Sequence, residues 1–310
     1  MDYITVREAA QKWNISDRLV QKYCAKGRIE GVQKFGKAWG IPSNAAKPQD
    51  PRKEQPPLSP SSRPRPEAFL GFMPLMNTPF EPGHCADCIQ EMEDGPRKDI
   101  ALAEYHYFSG HPEKAIQEAE LYLTCPNEAY RFSACLIYAY ANLSVGQIQY
   151  ARYALSEIKN TLSSHADKAP YVRAIESFVV FTSSVLLHLP LPEEMPPTQE
   201  FLPLLPPGLR AFALYVQAHY LYLKGDYGKS VGIVEATLNM GAEYYPIPSI
   251  YLHLVAVMDY MSLKQTEQAQ KHLLTAWETA RPDDLIEGFG EHHGLLGGML
   301  EAVIKPGWPE

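Results

Sequence analysis

Apolar positions near the start of the chain follow two different periods. Val6, Ala9, Ala10 and Trp13 recur at i, i+3, i+4 and i+7, which lays one apolar stripe along a short helix and predicts helix from about Val6 to Trp13. Thr5 and Glu8 in front of it have the S/T-x-x-E form of a capping box, in which each side chain satisfies an amide that the first helical turn leaves open. Asn14 and Ile15 make a tight connection, Ser16 is a good N-cap, and a second helix is predicted through Lys26 until Gly27 stops it. In that phase Val20 and Cys24 face inward and Asp17, Arg18, Gln21 and Lys22 outward. From Arg28 to Pro42 the period changes to two. Phe35 precedes a Gly36-Lys37 turn, and Trp39 and Ile41 share one face of a returning strand.

From Ala68 onward Ala, Leu and Tyr dominate, and no alternating stretch is long enough for a sheet. Four segments share a pattern: a helix with a small residue seven places before a tight turn, then a second helix whose apolar face starts five places after it. The small residues are Ala103, Ala139, Ala218 and Val257, the turns 110, 146, 225 and 264, and the following faces start at Ala115, Ala151, Ser230 and Ala269. The turns are 36, 79 and 39 residues apart, so the long gap holds two units. A degenerate repeat is expected over Tyr171 to Leu205, interrupted by a Pro-rich loop.

Two short helices joined by a three-residue turn and followed by a hairpin form a winged helix-turn-helix, and a period of 34 to 40 residues with small residues where paired helices meet defines a helical solenoid. The expected fold class is therefore mainly α: a small winged helix-turn-helix with a β-hairpin wing, then a tetratricopeptide-like α-solenoid. Seven prolines fall between Pro48 and Pro66 with almost no large apolar side chains, a composition that favours an extended spacer over a core. The expected domains are 1–47, a linker over 48–67, and 68–310.

Charge separates the same parts. Residues 1–53 carry eleven Lys and Arg against five acids, whereas the remainder carries seventeen against thirty-one, within a total of −8 over 310 residues. A basic head on an acidic body assigns any polyanion to the head, because basic side chains gain affinity by releasing condensed counterions.

Ile4 to Ala10, Ile15-Ser16, Val20, Gly27-Arg28-Ile29, Gly31, Phe35-Gly36 and Trp39-Gly40-Ile41-Pro42 together resemble the MerR/excisionase-type helix-turn-helix module of bacterial regulators, over about residues 3–47. Gly40 differs from that pattern, where a polar or basic wing residue is common. The segments FMPLMNTPFEPG, IALAEYHYFSGHPEKA and EHHGLLGGMLEAVIK are similar to the repeat-rich sensor region of LuxR-type regulators, over about residues 70–310. In those relatives a second helix-turn-helix usually follows the repeats; here either the head takes that role or the chain is part of a longer one.

The resemblance and the charge imply a bacterial transcriptional regulator that binds double-stranded DNA, and a cytoplasmic location is expected because the first residues lack the apolar core and small-residue cleavage site of a signal peptide. Arg18 and Gln21 are the candidates for base edges, since Arg pairs bidentately with guanine and Gln with adenine. Ser16, Lys22, Lys26, Lys34 and Lys37, with Asp17 on the same helix turn, complete the expected DNA face. The nineteen tyrosines either pad the solenoid core or line a concave groove for a protein, peptide or small-molecule partner, with Tyr105, Tyr138, Tyr215, Tyr222 and Tyr251 as the groove candidates. A homodimer through the body is a further option. The alternatives are a non-enzymatic interaction scaffold and a phage or recombination accessory factor of excisionase type.

Catalytic signals are lacking. His84-Cys85-Ala86-Asp87-Cys88 supplies one CxxC without a second pair to complete a zinc site, and no Walker, G-x-S-x-G, G-x-G-x-x-G or H-E-x-x-H motif occurs. No catalytic residue, metal site or cofactor is expected, and neither is a membrane span, because no run of eighteen apolar residues occurs.

Overall fold

A computed structural model describes residues 3–13, 16–25, 29, 31–36, 38–45, 47, 71–163, 170–193, 195–296 and 298. They fall into two compact units, Met1–Pro64 and Arg65–Glu310. The expected linker 48–67 and the candidates Lys26 and Lys37 lie outside the described residues, and Arg18 is described only as a backbone position on its helix.

Among its described residues the first unit is two helices on a small antiparallel sheet. The capping box forms: the Thr5 amide donates to Glu8 Oε2 at 2.7 Å and the Glu8 amide to Thr5 Oγ1 at 3.3 Å. Helix α1, Val6–Trp13, follows and buries Ala9, Ala10 and Trp13. Helix α2, Asp17–Ala25, brings Val20, Tyr23 and Cys24 onto them, and Ile29 and Ile41 complete this core. Val6 of the expected stripe is only half-buried.

Three strands close the unit: β1 (Tyr3–Ile4), β2 (Gln33–Phe35) and β3 (Ala38–Pro42), with β3 in the middle. Phe35 opposes Ala38 across the hairpin, and Tyr3 opposes Pro42 on the other edge. Two residues are too few to show a period, so β1 has no signature of its own. Gly40 has a packing reason, since a Cβ there would stand 2.5 Å from the Phe35 ring and 3.3 Å from Tyr3, whose rings meet edge to face.

Every regular element among the second unit's described residues is a helix. Helices α3 (Cys85–Gln90), α4 (Pro96–Phe108), α5 (Pro112–Glu120), α6 (Glu128–Ser144), α7 (Ile148–Ser163) and α8 (Pro170–Leu186) are followed by α9 (Thr198–Phe201), α10 (Pro207–Leu223), α11 (Tyr227–Asn239), α12 (Pro246–Ser262), α13 (Thr266–Ala280) and α14 (Glu287–His292). Consecutive helices pair as α4 with α5, α6 with α7, α10 with α11 and α12 with α13. At each helix contact the expected small residues are buried: Ala103, Ala139, Ala218 and Val257 on the first helices, and Ala115, Ala151, Ser230 and Ala269 on the second.

One turn ends all these first helices. Residues 110, 146, 225 and 264 have left-handed φ of 73, 77, 78 and 59°. Each donates to the carbonyl three residues back while the next residue donates five back, as Gly110 to Tyr107 and His111 to His106, which is the Schellman motif. His188 repeats it after α8, with φ 55° and the same two hydrogen bonds. It divides the 79-residue gap into 42 and 37, and α8 is paired not with a long helix but with short α9 beyond the Pro-rich loop.

The row of first helices then closes on itself, which departs from an open solenoid whose repeats touch only their neighbours. Helix α14 packs on both α12 and α4, Phe108 of α4 meets Tyr251 of α12 at 6.0 Å, and Asp283 accepts the amides of Gly83 at 2.6 Å and Cys85 at 2.9 Å, at the start of α3. Residues 71–80, which have no helical period, are held inside by polar pins. Glu104 is fully buried and accepts the amides of Leu75 at 2.9 Å and Met76 at 3.0 Å. Asn77 accepts the Leu209 amide at 2.9 Å, and Gly208 leaves no room for a Cβ, which would stand 2.1 Å from the Met76 carbonyl.

Candidate functional site

On the first unit, α2 turns one face inward and one to water. Val20, Tyr23 and Cys24 are buried, whereas Ser16, Asp17, Gln21 and Lys22 are exposed, the outcome of a 3.6-residue period with apolar residues on one side only. Lys34 on β2 is exposed too, its Nζ 5.3 Å from the centre of the Trp39 ring. Two other lysines are engaged structurally: Lys12 donates to the Ser43 carbonyl at 2.6 Å and Lys47 to the Trp13 carbonyl at 2.8 Å. They tie α1 to the residues that follow β3.

In the second unit the first helices and α14 line a cavity of about 300 Å³ that opens to the surface. Its position follows from the repeat register. The residues ten and six places before a turn are four apart and so share a helix face. At three successive turns these are Leu136 and Tyr140, Phe178 and Thr182, Tyr215 and His219, and all six line the cavity. Met73 and Met76 from the buried segment, Phe212, Tyr107 and Tyr251 add to the wall, and α14 supplies Glu287, Glu291 and His292.

The polar groups of this wall form two short chains. Tyr107 and Tyr251 donate their hydroxyls to Glu291, an exposed residue whose side chain borders the cavity. Burial raises the Glu291 pKa against the lowering effect of those two hydroxyls. Glu287, one turn earlier, is pushed up to about 7 by burial and then by the charge of Glu291. His292 donates from Nδ1 to the Gly288 carbonyl at 2.7 Å, which leaves Nε2 to accept from the Tyr215 hydroxyl at 3.0 Å. Burial lowers His292 to about 4. It lowers His219 to about 3, with His292 and His188 contributing, so both rings are neutral near pH 7. The His219 Nδ1 and Thr182 Oγ1 atoms have no protein hydrogen-bond partner, although both residues are more than nine-tenths buried.

Of the five expected groove tyrosines, Tyr215 and Tyr251 line the cavity and Tyr105, Tyr138 and Tyr222 do not. The difference is one of helix phase. Tyr105 and Tyr138 are each two residues, about 200° at 100° per residue, from Tyr107 and Tyr140, which do line it. Tyr138 instead packs edge-on against Tyr150 of α7, and Tyr222 lies tilted against Tyr227 of α11. The register counted back from each turn is the signal that would have selected Tyr140, Thr182 and His219. Glu287 and Glu291 stand on a short helix after the last repeat and carry no such signal.

The CxxC segment forms α3, with Cys85 buried and its thiol pKa raised by that burial. Among the described residues no group of three or more His, Cys, Asp or Glu could hold a metal ion, and no helix is long and apolar enough to cross a membrane. No family model matches the chain, and neither a curated protein nor a solved structure is similar to it.

Proposed function

We propose that this chain is a bacterial, cytoplasmic DNA-binding transcriptional regulator, in which a winged helix-turn-helix head reads DNA and a tetratricopeptide-like body senses a ligand. The supporting observation is the outward polar face of α2, with Gln21 and Lys22 exposed over the buried Val20, Tyr23 and Cys24, on a segment whose charge is opposite to that of the body. A helix presented in this way fits a major groove, where its first turn reaches base edges and the neighbouring cations meet phosphates. Arg18 and Gln21 are assigned to base edges, and Ser16, Lys22 and Lys34 to phosphates.

The five first helices with a common C-terminal turn support the repeat kinship of the body, and the largely apolar cavity, open to the surface, supports a sensing role. A ligand regulates such a protein only through different affinities for two arrangements of the body.

The test is selection of the full chain on a random-sequence duplex pool at two salt concentrations. A regulator enriches a motif, and log affinity falls with log salt by about 0.9 per phosphate neutralised. Arg18→Glu combined with Lys22→Glu abolishes the enrichment. Absence of binding at low salt overturns the proposal in favour of a protein-interaction scaffold.

A further inference from the structure

Three observations on the cavity wall converge on one kind of occupant. The first is charge. Glu287 and Glu291 both border the cavity, and no Lys or Arg among the described residues does. Standing at i and i+4 on α14, the two carboxyl groups repel when both are ionised. Of the three histidines of the wall, the buried His219 and His292 are neutral near pH 7 and do not offset them, while the third, His188, is exposed at the turn after α8.

The second is the surface next to those acids. Tyr107, Tyr140, Tyr215 and Tyr251 come from four different helices to the same cavity, and Tyr107 lies 6.5 Å from Tyr140 while Tyr215 lies 5.1 Å from Tyr251. Ring faces attract a cation through their quadrupole, more strongly where water is excluded. The Tyr107 and Tyr251 hydroxyls are used on Glu291, which fixes its carboxylate in place.

The third is unspent hydrogen-bonding capacity. Thr182 Oγ1 and His219 Nδ1, on two adjacent first helices, are buried in the wall without a protein partner, an arrangement that costs stability unless something else meets them.

We propose that the cavity binds a small organic cation, a protonated amine on an apolar aromatic or aliphatic body, with the ammonium placed between Glu287, Glu291 and the tyrosine rings. The apolar part lies against Phe178, Phe212 and the two methionines, and a polar substituent reaches Thr182 and His219. This specifies the ligand class of the sensing body proposed above and rests on that assignment only for its regulatory meaning.

The experiment is calorimetric titration of the full chain with three probes of one shape: phenethylamine, 2-phenylethanol and phenylacetate. The amine is expected to bind about tenfold or more tightly than the alcohol, and the carboxylate more weakly than either. Glu287→Gln with Glu291→Gln should remove the preference for the amine while the alcohol still binds, which shows that the variant has kept its cavity. Equal affinities, a preference for the carboxylate, or no saturable heat from the amine at millimolar concentrations would each overturn the assignment. DNA selection is scored separately. Amine binding without DNA binding keeps the cation site and removes the regulator, and DNA binding without amine binding does the reverse.

Discussion

In the first unit every acidic or basic side chain that is described lies at the surface, whereas the second buries Glu104 and Asp259 completely and Asp283 and four histidines nearly so. The small unit is held by local devices, a capping box, a two-residue hairpin and a few interlocked apolar side chains. The larger one is held by polar links across long stretches of chain. Its interior therefore contains buried carboxyl and imidazole groups whose protonation differs between folded and unfolded states, whereas the first unit's described core contains no carboxyl or imidazole group. Breaking each unit at its own fastening tests the contrast.

The largest effect is expected from Glu104→Ala. It leaves the amides of Leu75 and Met76 without their acceptor inside the core, a loss of about 2–5 kcal/mol for two buried donors. Hydrogen exchange resolved by peptide should show faster exchange over residues 71–80 and their neighbours, with α1 and α2 unchanged. Equal loss of protection in both units would mean that they do not unfold separately.

A second effect distinguishes the units by pH. Burial raises the Glu104 pKa to about 8, so the folded body holds a proton that the unfolded chain releases above about 4.5, and stability falls as pH rises through 8. The histidines 219, 253 and 292 are lowered to about 3, 3 and 4. The unfolded chain thus gains protons below its ordinary His pKa of about 6.5, and stability also falls as pH drops from there towards 4. Each proton by which the states differ changes stability by about 1.4 kcal/mol per pH unit. Urea midpoints across pH 4 to 9 should trace a dome for the body, while the first unit stays flatter above pH 5, and Glu104→Ala should flatten the alkaline limb.

Within the first unit, Thr5→Ala removes one half of the capping box and should cost about 1 kcal/mol, read as faster exchange at the start of α1 alone. Unchanged exchange there would mean that packing of Ala9, Ala10 and Trp13 holds the helix without its cap.

Both short helices and the hairpin of the first unit were legible in the sequence because their causes are local: Thr5 and Glu8 are three residues apart, and so is the spacing that buries Trp13. The turns of the second unit were legible for the same reason, and the 79-residue interval pointed to a further repeat over Tyr171 to Leu205 without giving its turn at His188. Closure of the row was not, because the link from Asp283 to the start of α3 joins residues 198 and 200 apart, and no periodicity encodes such a distance. The cavity was half legible. Tyr215 and Tyr251 follow from aromatic content, but choosing Tyr140 over Tyr138 requires the helix phase, which only the turn register supplies. Glu287 and Glu291 resemble any solvated acids until α14 is seen to pack on α4.

The smallest effect sharpens the contrast within the second unit. Its five matching turns place left-handed backbone at three glycines and at two residues with a Cβ, His188 and Lys264. A side chain in that region is crowded by the following carbonyl at a cost of about 1 kcal/mol, which glycine avoids while losing more chain entropy on folding. Lys264 is exposed and lies outside the cavity wall, so Lys264→Gly should raise stability by about 0.5 kcal/mol, and Gly146→Ala, with open space around its Cβ, should lower it by about 1 kcal/mol. His188 lines the cavity, and its replacement should change ligand binding as well as the turn. A midpoint for Lys264→Gly at or below that of the parent chain would mean that the lysine contributes something at this turn beyond its backbone, and that the five caps are not energetically equivalent.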